Sequence, residues 1–170
     1  VLQEVDATGT MVARYTQGPG LDEPLAMLRS GVTSYYEADG LGSITSLSNS
    51  SGALNRTYRY DTFGKLVGSS GTTINPYGFS ARDFDSETGF QYIRARYYDP
   101  AIGRFLSEDP AGLRGGMNMY SYVNNNPAAL IDPSGLAPIC KDVANLAGTK
   151  ADAGLLARLI YLESTGSDAF

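Results

Sequence analysis

The chain has 170 residues, with 13 basic against 18 acidic side chains, a formal charge of −5 and no histidine. That balance lacks the basic stripe needed to follow a phosphate backbone, so nucleic acid is not expected as a partner of this region. A single cysteine, Cys140, and no imidazole leave no internal disulfide, Cys/His metal site or Cys/His nucleophile to build, so neither metal nor cofactor is expected.

Twenty glycines, and 12 tyrosines against 6 phenylalanines, suit short strands joined by tight turns and predict a mainly β fold. No apolar run approaches the roughly 20 residues that cross a bilayer. The chain starts at Val1 without the charged-then-apolar plan of a signal peptide, so it is expected to be a piece of a longer protein, with any export signal upstream or absent.

In chain order, a tyrosine followed by an acidic residue and a glycine recurs at Tyr36-Glu37-Ala38-Asp39-Gly40, Tyr60-Asp61-Thr62-Phe63-Gly64 and Tyr98-Asp99-Pro100-Ala101-Ile102-Gly103. Each reads as an aromatic at a strand end, an Asp that caps a turn and a Gly free to take positive φ, hence one hairpin per repeat. Leu54 to Tyr60 alternates, with Leu54, Tyr58 and Tyr60 on one face and Asn55, Thr57 and Arg59 on the other, as in a half-exposed strand. A lone hairpin cannot bury its face, so the units are expected to stack into an extended sheet.

Two later segments carry the same turn text: Asp109-Pro110-Ala111-Gly112 and Asp132-Pro133-Ser134-Gly135. Both predict type I turns. Facing each other in a partly buried site, their carboxylates would share one proton and so supply both a base and an acid. The second turn reverses the chain just before Leu136 and would hold the Leu136–Ala137 bond near Asp132, replacing substrate binding by tethering. Arg94 and Arg96 read as neighbours on one strand face, and Glu108 as a solvated bystander. Beyond Leu136 the composition shifts, and Thr149-Lys150-Ala151-Asp152 opens a helix with Leu155, Leu156, Leu159 and Ile160 on one face. The expected division is 1–58 shell strands, 59–136 a core, and 137–170 a truncated C-terminal region.

The run Glu87-Thr88-Gly89-Phe90-Gln91-Tyr92-Ile93-Arg94-Ala95-Arg96-Tyr97-Tyr98-Asp99-Pro100, with Gly103-Arg104-Phe105-Leu106-Ser107-Glu108-Asp109-Pro110, Asn125-Asn126-Pro127 and Asp132-Pro133-Ser134-Gly135-Leu136, resembles the Rhs repeat-associated core of YD-repeat proteins. The resemblance implies part of a spiralling β-shell, or cocoon, with an inward-turning plug that acts as an aspartic-type autoprotease. It implies a cut after Leu136 and Asp109, Asp132 and Arg96 as catalytic residues, Arg96 in bidentate contact with one carboxylate and preferred over Arg94. The implied partners are the chain's own C-terminal toxin cargo, the rest of the shell, a secretion or delivery apparatus and a cognate immunity protein, in a secreted or cell-surface bacterial protein. Alternatives are a structural or adhesive shell that does not cut, and a peptidoglycan-degrading C-terminal region. For the latter, Leu156 to Gly166 resembles the opening helix of lytic transglycosylases, with Glu163 at the position of the general acid.

Overall fold

The computed structural model describes residues 2–140. The helix expected from Thr149 onward, with Glu163, lies outside them. Seven strands form one antiparallel meander in chain order: β1 (Gln3–Val5), β2 (Met11–Gln17), β3 (Pro24–Arg29), β4 (Val32–Ala38), β5 (Ile44–Ser48), β6 (Leu54–Tyr60) and β7 (Leu66–Gly71). The sheet thus runs without interruption across residue 58. A second antiparallel sheet follows, ordered β11 (Arg104–Phe105), β10 (Arg96–Asp99), β9 (Gln91–Ile93), β8 (Asp83–Phe84). The short hairpin β12 (Leu130–Ile131) with β13 (Ile139–Cys140) closes the described chain.

The hairpins follow one chemical rule, and it is wider than the tyrosine repeat. At Asp39, side-chain Oδ1 accepts from the N–H of Leu41 and Ser43 while the main-chain oxygen accepts from Gly42. Asp61 does the same with Phe63, Lys65 and Gly64. So do Asp6 and Asn49, which no tyrosine precedes. The side-chain oxygen satisfies two N–H groups that the turn would otherwise leave open. This corrects one expectation: the positive-φ glycine of the Asp39 turn is Gly42 at φ 80°, three residues after the Asp, and not Gly40.

One face of the meander is apolar. Ala13, Tyr15, Met27, Ile44 and Leu47 pack with Tyr77 and Ala81 from the segment that follows the sheet, flanked by Tyr36 and Tyr58. As the alternation predicts, Tyr58 and Tyr60 share a face, with rings 6.3 Å apart and nearly parallel. A second cluster joins Phe79, Ile93, Tyr98, Phe105, Tyr122 and Val123; Tyr60 packs on it through Phe79 at 6.1 Å, and the stack of Tyr60 on Tyr58 connects it to the first. Each fully buried large apolar side chain contributes roughly 1.5–3 kcal/mol. The second cluster therefore gives the small sheet a rigid floor on which Arg96 is mounted.

Candidate active site

Arg96 opens β10 and points inward, its guanidinium 3.5 Å from the centre of the Phe105 ring. One terminal nitrogen lies 3.0 Å from Asp109 Oδ2 and 3.4 Å from Asp132 Oδ2. All three side chains are at most 4% exposed. The other nitrogens hold backbone: Nε donates to the Gly135 carbonyl at 2.5 Å and Nη1 to that of Met119 at 3.0 Å. The expected bidentate contact with one carboxylate is therefore replaced by a bridge between two, because the remaining donors are committed to the loops that carry those carboxylates. Residues up to 36 positions apart in sequence, including both members of the repeated turn, come together around one nitrogen.

The two turns are not the same turn. Asp109-Pro110-Ala111-Gly112 closes through its main chain, with Gly112 N–H on the Asp109 carbonyl at 2.8 Å, and Asp109 Oδ1 caps Ala111 N–H at 2.8 Å. In Asp132-Pro133-Ser134-Gly135 the Gly135 N–H donates to the side chain instead, to Asp132 Oδ1 at 2.9 Å. The same oxygen accepts from the N–H of Leu136 and of Ala137, each at 3.2 Å, and from the Ser134 hydroxyl at 3.1 Å. Asp132 thus stands at the amide nitrogen of the Leu136–Ala137 bond, while β12 and β13 pair on either side of the loop and hold both flanks of that bond in place.

Glycine permits two close approaches at the site. Gly135 sits at φ 73°, and a Cβ there would overlap the Ile93 carbonyl oxygen. A Cβ on Gly115 would lie 2.5 Å from Asp109 Oδ2.

Burial raises the Asp132 carboxyl above its ordinary pKa, against the opposing pull of its backbone donors, Ser134 and Arg96. Burial likewise lowers Arg96, with Asp109 and Asp132 acting in the opposite sense. Beneath the loop, Tyr122 is pushed up to about 12 by burial. Among the described residues, no three His, Cys, Asp or Glu side chains gather as a metal ion would require. No helix among them is long and apolar enough to cross a membrane.

Contrary to the expectation, Arg94 does not share a strand face with Arg96. It lies in the β9–β10 turn at φ 43°, and its guanidinium reaches the Pro133 carbonyl and Asp22. Glu108 is exposed and accepts from the Tyr120 hydroxyl at 3.1 Å. Asp99-Pro100 is a surface turn, its Oδ1 capping Ala101 N–H at 2.8 Å. Asp22 and Arg82, which also converge here, carried no signal in the sequence: they come from distant loops and belong to no repeated motif.

A family model described as teneurin YD-shell matches residues 22–128. The tRNA3(Ser)-specific nuclease WapA of Bacillus spizizenii is 36% identical over 142 residues, covering 79% of this chain and 6% of WapA. Toxin protein Tse5 of Pseudomonas aeruginosa is 36% identical over 102 residues, covering 60% of this chain and 8% of Tse5. A structure of the Photorhabdus luminescens Tc holotoxin pore, carrying a mutation in TccC3, superposes with a TM-score of 0.66 at 26% identity, over 81% of this chain and 7% of that one. The chain therefore spans less than a tenth of the length of each of these relatives.

Proposed function

This chain belongs to the teneurin YD-shell family, the Rhs/YD-repeat shell proteins, and from that premise we propose that it is the self-cleaving core of a shell that encloses a C-terminal toxin and severs it after Leu136. The observation that carries the proposal is the Arg96 nitrogen shared by two buried carboxylates, one of which also receives the Ala137 N–H. Burial raises the Asp132 carboxyl, which favours Asp132 as the proton donor.

The reaction is a hydrolysis. Asp109 takes a proton from water, and the resulting hydroxide adds to the Leu136 carbonyl carbon. As the tetrahedral intermediate collapses, the C–N bond breaks and the Ala137 nitrogen takes its proton from Asp132. The products are a Leu136 carboxyl group and an Ala137 amine, which become carboxylate and ammonium by passing one proton between them, and the carboxyl pair has only exchanged a proton. Arg96 holds Asp109 and Asp132 at one nitrogen and the scissile loop at the Gly135 carbonyl, so the reactants are tethered at high effective molarity and each chain cuts once. In this reading the remaining shell surrounds the cargo, which begins at Ala137, and the whole protein is exported and delivered into a competing cell, where an immunity protein protects kin.

The proposal is tested by expressing the complete shell with its C-terminal region as wild type, Asp109→Asn and Asp132→Asn, followed by denaturing gel and N-terminal sequencing. Wild type is expected to yield a fragment beginning at Ala137, and both variants to stay whole. An uncut wild type, or a different new N-terminus, rejects it.

A further inference from the structure

The scissile loop is gripped from two sides, and only one grip belongs to the carboxyl pair. The Pro133 carbonyl, immediately after Asp132, accepts from Arg82 Nη2 at 2.5 Å and from Arg94 Nη1. Both arginines are in turn bound by one carboxylate: Asp22 pairs with Arg82, and its Oδ1 lies 2.8 Å from Arg94 Nη2. Asp22 belongs to neither the small sheet nor the loop. It sits in the β2–β3 connection of the seven-stranded meander, at φ 53°, in a loop secured by the Glu23 carboxylate on Gly20 N–H at 2.8 Å.

Arg82 is buried, its side chain 8% exposed, and it forms an ion pair with Asp22. A buried guanidinium without its counter-charge is costly, so Arg82 keeps this position only while the meander's loop is docked. A path of direct contacts thus runs from the shell sheet through Asp22 to Arg82 and Arg94, then to the Pro133 carbonyl and the Asp132 backbone.

We propose that Asp22 is a positioning residue for self-cleavage, acting through Arg82 and Arg94 on the Pro133 carbonyl, so that the cut is efficient only once this hairpin of the shell has docked on the core. The inference rests on the cleavage reading above. It adds to it a reason for cleavage to follow shell assembly: an undocked sheet leaves the loop without its second grip, and misplacement of reacting groups by about 1 Å costs on the order of 10²-fold in rate.

The test is pulse-chase translation of the complete chain, scoring the fragment that begins at Ala137 over time, with protease resistance of the shell read in parallel. Asp22→Asn is expected to cut about 10- to 100-fold more slowly than wild type, with the shell still resistant, and Asp22→Glu to recover to within about threefold. Arg94→Gln, at a side chain 45% exposed and therefore safe for folding, is expected to slow the cut about 3- to 10-fold. A wild-type rate in Asp22→Asn overturns the proposal, as does an Asp22→Glu that remains as slow as Asp22→Asn. If Asp22→Asn loses its resistant shell, Arg94→Gln decides, and a wild-type rate there overturns the proposal. A wild type that is never cut rejects the cleavage reading itself and is distinguishable from all of these.

Discussion

The segments around Asp109 and Asp132 share the text Asp-Pro-x-Gly, yet the first spends its carboxylate lightly and the second fully. Asp109 Oδ1 caps one N–H, and its Oδ2 faces Arg96. Asp132 Oδ1 gathers three consecutive backbone N–H groups, ending at Ala137. The first turn closes through its main chain, so its side chain is spare and suits a base. The second is organised by its side chain, so moving that carboxylate moves the bond beside it. The partners available in the fold decide between the two, because the local text is the same.

The largest effect that tests this difference is on cleavage. Asp109→Asn and Asp132→Asn are each expected to slow the cut roughly 10²- to 10⁴-fold, as removal of a proton-transfer group does. Pulse-chase rates that fall for only one of them would assign the chemistry to that turn alone.

Stability should separate the turns next. Gly135→Ala places a side chain at positive φ and against the Ile93 carbonyl, and should cost about 3 kcal/mol. Gly112→Ala, at φ 62° with open space around it, should cost only about 1 kcal/mol. Urea midpoints of the full-length protein give the comparison, and equal losses would mean that the second turn is no more constrained than the first.

A smaller, pH-dependent effect follows from Asp132. Its folded pKa is raised by burial, so the fold favours the protonated form. The stability it contributes is complete below the ordinary carboxylate pKa and is lost as pH rises through the raised value. Wild type should therefore lose stability relative to Asp132→Asn across that window, measured as the difference between their melting temperatures. A gap that widens in favour of wild type as pH rises would contradict the direction of the shift. The smallest effect belongs to the exposed neighbour: Glu108→Gln should change stability by no more than about 0.5 kcal/mol and leave the cut unchanged.

Much of this was legible in the sequence because turn chemistry is local. Asp39 and Asp61 announce their hairpins by residue type, and Asp109, Asp132 and Arg96 lie in motifs with fixed spacing. Asp6 and Asn49 fall outside the tyrosine repeat, because an Asx side-chain oxygen and a glycine three residues later suffice for the turn. Around Arg94 the alternation reads as one strand shared with Arg96, while a positive-φ turn breaks it at Arg94. The pairing of Asp22 with Arg82 and Arg94 is tertiary: it joins a hairpin loop to residues 60 and 72 positions away, and no local pattern encodes that.

The central claim, that the carboxyl pair directs water onto the Leu136 carbonyl, is tested most directly by translating the complete chain in water enriched in the heavy oxygen isotope and analysing the peptides by mass spectrometry. The account predicts a peptide ending at Leu136 with one heavy oxygen in its new carboxylate and none in Asp109 or Asp132. Heavy oxygen in either aspartate, or an end at any other residue, would contradict it.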